Sequence, residues 1–186
     1  MYSVGDNVVY PHHGAGKITK VEQREVLGRQ RDYLTIQIAH NHMTVMVPVE
    51  NVERVGLRKV VKAGVVDDVV GVLRGSATEM PERWSRRYKY NDEKLKTGDI
   101  FEVAEVIRNL TIRYAEKDIP TGEKQMLAKA KKILASEFVY ARGLSEDEAT
   151  AFLDDLLAGV HADAQEQAMA EPPGDTGAMP APLTVV

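Results

Sequence analysis

The chain contains no cysteine, so neither a disulfide framework nor a cysteine-held metal site can organise it. It has no apolar run near the ~20 residues a membrane helix needs. Its opening, MYSVGDNVVY, lacks the basic and apolar stretches of a secretory signal. The expectation is a soluble, cytoplasmic protein with no membrane association. Signature motifs of catalysis are missing too: there is no G-x-x-x-x-G-K-[ST], no G-x-S-x-G and no H-E-x-x-H. No catalytic residue and no cofactor is expected, and the chain reads as a non-enzyme. A small hydrolase built on His12 or His13 has almost nothing to support it. No internal repeat occurs.

Histidine is the residue type left for metal chemistry. His12 and His13 are adjacent, and neighbours on a strand point to opposite faces, so they make a poor chelate. The expected state is a turn with one ring packed and one solvated. His40 and His42 could share a face, but two ligands leave a metal under-coordinated. No metal site is expected. The carboxylates mostly sit at helix starts or on polar faces and read as structural.

Of what is present, charge is the most uneven. The 186 residues carry 24 Lys+Arg and 28 Asp+Glu, a net −4. Nine of the acids and none of the bases lie in residues 143–186, which leaves 24 bases against 19 acids, a net +5, in residues 1–142. Residues 80–142 hold fourteen bases and ten acids. A locally basic body is compatible with a polyanionic partner.

The first 60 residues alternate polar and apolar positions in short runs, as in KITKV and DYLTIQI, and these runs are punctuated by PHHGAG, Gly28 and Pro48. Several short strands in so little chain predict a small β-barrel. An edge strand of such a barrel could pair with a partner's sheet. Helical spacing then takes over. Residues 65–73 are short and apolar, and a helix beginning near Pro81 stops at Thr97-Gly98. Asp99 caps the next, with Val103, Val106, Ile107, Leu110 and Tyr114 on one face. Thr121 opens another, with Met126, Ala130, Ile133, Leu134 and Phe138 buried and Gly143 as its stop. Ser145 and Glu148 form a capping box before residues 149–157. The fold class is therefore α+β: residues 1–60 a Tudor- or SH3-like β-barrel, residues 61–159 an all-α bundle of four or five helices. Residues 160–186, rich in Pro, Ala and acids, read as a disordered tail.

The segment ERWSRRYKYN at 82–91 holds the single Trp of the chain among cations. On a helix from Pro81, Trp84, Tyr88, Asn91 and Leu95 share one stripe, and Arg83, Arg87, Tyr90 and Lys94 share the next. Two readings follow. In one, Trp84 is an exposed apolar wedge ringed by phosphate-binding cations, as in proteins that insert into the minor groove. Further cations come from Arg113, Lys124, Lys129, Lys131 and Lys132. Without a helix-turn-helix or zinc finger, that mode is backbone contact with shape readout. In the other, Trp84 is core, the cations are solvated and the chain is a protein-interaction module that does not bind DNA.

Four motifs in order, V-G-D-x-V-V-Y-P-H-H-G-x-G at 4–16, T-V-x-V-P at 44–48, W-S-R-R-Y-K at 84–89 and G-E-K-x-M-L-A-K-A at 122–130, resemble the CarD (CdnL) family of bacterial transcription regulators. W-S-R-R-Y-K is most typical of actinobacterial members. The match spans residues 2–158. The resemblance implies a Tudor-like module that binds the β subunit of RNA polymerase, similar to that of the transcription-repair coupling factor. This chain has no helicase motif and is not that factor. It also implies a helical domain that stabilises the promoter open complex through a sequence-nonspecific contact at the upstream edge of the bubble, acting as a monomer. Carried over residue by residue, Trp84 is the minor-groove wedge, Arg86, Arg87, Lys89 and Lys124 lie beside DNA, and Arg24 contacts polymerase. The family's second polymerase-contacting Arg, in T-V-R-V-P, is replaced here by Met46. Met packs adaptably but lacks a charge-assisted hydrogen bond. Met46 and the tail suggest a variant paralogue.

Overall fold

A computed structural model describes residues 2–170 of the chain. The N-terminal part is a five-stranded antiparallel sheet of β1 (Asn7–Tyr10), β2 (Gly14–Val26), β3 (Arg29–Ile38), β4 (Thr44–Pro48) and β5 (Arg58–Lys59). The strand order is β4-β3-β2-β1-β5. This is the small barrel expected, open along one seam, since no ladder joins β4 to β5 among the described residues. A bulge between Ile18 and Lys20 bends β2. The β2–β3 hairpin turns through Leu27 and Gly28, both at positive φ, the geometry that matches strand twist in a two-residue loop. Val8, Ile18, Leu34, Ile36, Ile38 and Val47 fill the inner face, and Val52 and Leu57 close it from the segment that follows β4.

Five helices follow: α1 (Ala63–Arg74), α2 (Trp84–Thr97), α3 (Ile100–Glu116), α4 (Thr121–Arg142) and α5 (Glu146–Ala170). The caps are those the sequence announces. Asp99 accepts hydrogen bonds from the Phe101 and Glu102 amides. Ser145 and Glu148 exchange side-chain and backbone bonds at the start of α5. Gly98 and Gly143 end α2 and α4 in the left-handed region. Leu73, Leu95, Ile107, Leu110, Leu134, Phe138 and Leu153 sit at the centre of the helical core. One expectation is corrected. The chain does not lose order at 160, because α5 continues to Ala170 with Val160 and Ala164 buried. The rest of the expected tail, residues 171–186, lies outside the described residues.

The sheet and the helices are clamped at one joint. Arg58 of β5 makes a bidentate pair with Glu137 of α4, at 2.6 and 2.8 Å, and donates to the Gly98 carbonyl at 2.8 Å. Glu137 also accepts from the Val61 amide. On β2, the Ala15 amide donates to Ser136 Oγ at 2.8 Å. Gly14 comes so close to α4 that a Cβ there would lie 2.6 Å from Ser136 Oγ. These contacts fix the orientation of the sheet relative to α4, whose N-terminal turn meets α2.

Candidate functional site

Trp84 is the first residue of α2, and it is 48% exposed. The reading that puts Trp84 in the core is thereby overturned. Its ring stands beside Tyr88, with centroids 5.8 Å apart, and both rings lie over Gly122 at the start of α4. The stripe that α2 buries is Arg87, Asn91 and Leu95. It keeps Asn91 and Leu95 of the stripe expected from Trp84, but Arg87 stands where Trp84 and Tyr88 were expected.

Arg87 is the main correction among the cations. Its side chain is 3% exposed and faces Glu123, which is fully buried. The Arg87 guanidinium donates to the Glu123 carboxylate at 2.6 and 3.3 Å. Its third nitrogen donates to the carbonyls of Pro81 and Glu82 at 3.1 and 2.6 Å. A guanidinium with its donors spent inside the protein is not a phosphate ligand. Arg87 instead ties the segment leading into Trp84 to the first turn of α4. It sets where the indole stands.

The other cations are on the surface. Arg86 and Lys89 are exposed, and Lys89 is 3.8 Å from Glu93. Lys124 lies on the far side of α4 from Gly122. It pairs with Asp118 at 2.7 Å and sits 5.1 Å from the centroid of the Tyr114 ring. The hydrogen bond to Asp118 holds the Lys124 ammonium above the usual lysine range. Trp84, Tyr88, Arg86 and Lys89 thus come from one helix end, with Lys124 on the adjoining helix.

On the sheet, β-register places Arg24 and Met46 on the same outer face, opposite the face that carries Leu34 and Val47. Met46 is exposed on the edge strand β4, beside Thr35. Arg24 is exposed on β2 and pairs with Glu22 at 2.6 Å.

The histidines arrange differently from the expectation. His12 and His13 lie in the β1–β2 turn and gather with His40 around α4. His42 is exposed and apart. Among the described residues no three His, Asp or Glu form a metal-binding group, and no helix is long and apolar enough to cross a membrane. The carboxylates are not all peripheral. Glu123 and Glu137 are buried, each paired with Arg, and sequence reasoning missed both. It also missed the Arg108–Asn109–Thr78 network that pins the segment between α1 and α2.

Comparison with known proteins divides the chain into two matched stretches. Residues 2–61 match the CarD-like/TRCF RID domain and residues 68–154 match the CarD C-terminal domain. The chain is similar to a Bacillus subtilis (strain 168) protein whose name is "Putative transcription factor YdeB". It is 35% identical over 152 residues, 82% of this chain and 99% of that one. It also matches the solution NMR structure of the 72-residue N-terminal domain of Myxococcus xanthus CarD. That match has 34% identity and a TM-score of 0.29, and covers 32% of this chain and 79% of the other.

Proposed function

The chain belongs to the CarD family of transcription factors, and from that premise we propose that it is a non-enzymatic cytoplasmic regulator that stabilises promoter open complexes. In this reading residues 1–60 hold the β subunit of RNA polymerase through the outer sheet face that carries Arg24 and Met46. Residues 61–159 present Trp84 to the minor groove at the upstream edge of the bubble. Arg86, Lys89 and Lys124 supply sequence-nonspecific phosphate contacts.

The observation that carries the reading is the exposure of Trp84. A large indole at the tip of a helix, half in solvent, beside unburied cations, is the pairing used to wedge a base step and hold its backbone. Its position is also prepared, because buried Arg87 donates two hydrogen bonds to the Pro81 and Glu82 carbonyls just before it and two to Glu123 of α4. The clamp of Arg58 on Glu137 then relates the wedge to the sheet.

The mechanism is additive. Polymerase tethers the sheet, which raises the effective concentration of the helical part at the DNA, so a weak DNA contact suffices. The factor stabilises the melted state only by the difference between its affinities for open and closed complexes. A distorted step at the fork offers Trp84 a site that intact duplex does not. The test follows bubble collapse with a fluorescent promoter probe, cognate holoenzyme, and wild-type or Trp84→Ala protein. Wild type should slow collapse, and Trp84→Ala should lose this while still binding polymerase. No effect of wild type, or a folded Trp84→Ala that matches it, would overturn the DNA half of the reading.

A further inference from the structure

A cleft opens where the β1–β2 turn meets α4, with a volume of about 480 Å³. His12, His13, His40, Gln125, Lys129 and Lys132 line it, and among the described residues no carboxylate does. We propose that this cleft is a second DNA contact, a seat for phosphodiester groups of the strand that passes Trp84. The proposal rests on the reading that Trp84 engages DNA, and extends the interface from helix tip to sheet.

Two of the cleft's cations are unneutralised. Of the four α4 lysines, Lys124 pairs with Asp118 and Lys131 with Asp154. Lys129 and Lys132 make no ion pair among the described residues. Lys129 instead approaches His12 Nδ1 at 3.1 Å. An ammonium can only donate there, so His12 is a neutral acceptor and leaves the charge uncompensated. Burial, then Lys129, pushes His12 and His13 below the usual histidine range, and burial, then Lys132, does the same to His40. Asp92 on α2 and Glu146 on α5 oppose this for His12 and His40, and Lys96 adds to it for His12. The Lys129 and Lys132 ammoniums therefore face the cleft with no carboxylate paired to them among the described residues, and an anion would supply the missing counter-charge.

The cleft is also aligned with Trp84. Gly122, Gln125, Lys129 and Lys132 fall at i, i+3, i+7 and i+10, one stripe of α4. The stripe begins under Trp84 and Tyr88 and ends in the cleft. Ten residues of helix span about 15 Å, roughly four phosphate rises of a B-form strand. Lys129 and Lys132 thus continue, along one helix face, the line that starts beneath the indole. Small anions would fit the cleft alone, but the continuity with Trp84 selects DNA backbone.

The experiment measures the protein concentration that half-maximally slows bubble collapse, with holoenzyme and promoter, at salt between about 50 and 200 mM. Full-length wild type is compared with the Lys129→Gln, Lys132→Gln double variant. Each phosphate neutralised contributes about 0.9 to the log–log salt slope, so the double variant should be shallower by about 1.8. Across that salt range its loss of affinity should be about twelvefold smaller than that of wild type. A charge-matched pair at the two ends of α1, its N-cap Lys62→Gln with Arg74→Gln, should keep the wild-type slope. If wild type and Trp84→Ala separate as expected but the Lys129/Lys132 variant follows the wild-type slope, the cleft is not a phosphate seat and the wedge reading stands. If wild type itself has no effect on collapse, both fall together.

Discussion

Arg87→Ala separates a structural arginine from a DNA-binding one. The side chain is 3% exposed and its partner Glu123 is 0% exposed. Truncation leaves a carboxylate with no cation inside the protein and frees the carbonyls of Pro81 and Glu82. Removing one member of a buried pair costs about 3–5 kcal/mol. For a chain of this length each kcal/mol moves Tm by about 2–4 °C, so Tm should fall by about 6–20 °C. Urea unfolding followed by far-ultraviolet circular dichroism should show the loss as a lower midpoint. The double variant Arg87→Met with Glu123→Leu removes both charges into well-packed surroundings. It should recover most of the stability, since apolar replacements of buried pairs are often neutral or better. A loss below about 1 kcal/mol for Arg87→Ala would refute the reasoning. Arg87 would then be solvated, and its assignment as a phosphate contact would return.

Other perturbations probe the joint and the polymerase face. Gly14→Ala forces a side chain onto φ +89° and to within 2.6 Å of Ser136 Oγ. It should destabilise by about 1–3 kcal/mol from backbone strain alone, and an unchanged Tm would contradict the close approach. Glu137→Ala removes the acceptor shared by Arg58 and the Val61 amide, and should cost about 1.5–3 kcal/mol in urea unfolding. Met46→Arg places a cation on the edge strand. Polymerase affinity measured by titration should rise about tenfold or more, and unchanged affinity would mean that Met46 does not weaken the interface. The stability of the chain should also depend on acid. His12, His13 and His40 have folded pKa values below their unfolded value near 6.5. The unfolded state therefore binds more protons, and stability should be full above that value and decline as pH falls through it. A His12→Asn, His13→Asn, His40→Asn variant should show a flatter profile between about pH 7 and 5.

The architecture was legible because its signals are local and redundant. Alternation and turn residues mark β1 to β4, while the caps at Asp99 and Ser145 and the stops at Gly98 and Gly143 bracket the helices. β5 escaped because two residues, Arg58 and Lys59, carry no period. The end of α5 was misjudged because Ala, Gln and acids after 160 look like tail, whereas Val160 and Ala164 keep the buried stripe going at a spacing of four.

The site was harder for a different reason. In W-S-R-R-Y-K, Arg86 and Arg87 are the same residue type one step apart, and one step is about 100° of helix. Composition cannot tell which faces out. The discriminating signal lies elsewhere. Leu95 is the only aliphatic of α2, and stepping back by four from it gives Asn91 and Arg87, the buried stripe. On α4, the apolar run Met126, Ala130, Ile133 and Leu134 extends at helical spacing to Glu123 on one side and Glu137 on the other. A carboxylate in line with a buried stripe needs a cation brought to it by another element. Two such acids therefore demand two arginines, and Arg87 and Arg58 answer them. Reading acids at core positions as requests for partners would have withdrawn Arg87 from the DNA list. It would also have located both ends of the scaffold that holds Trp84: one pair under the indole, the other at the sheet.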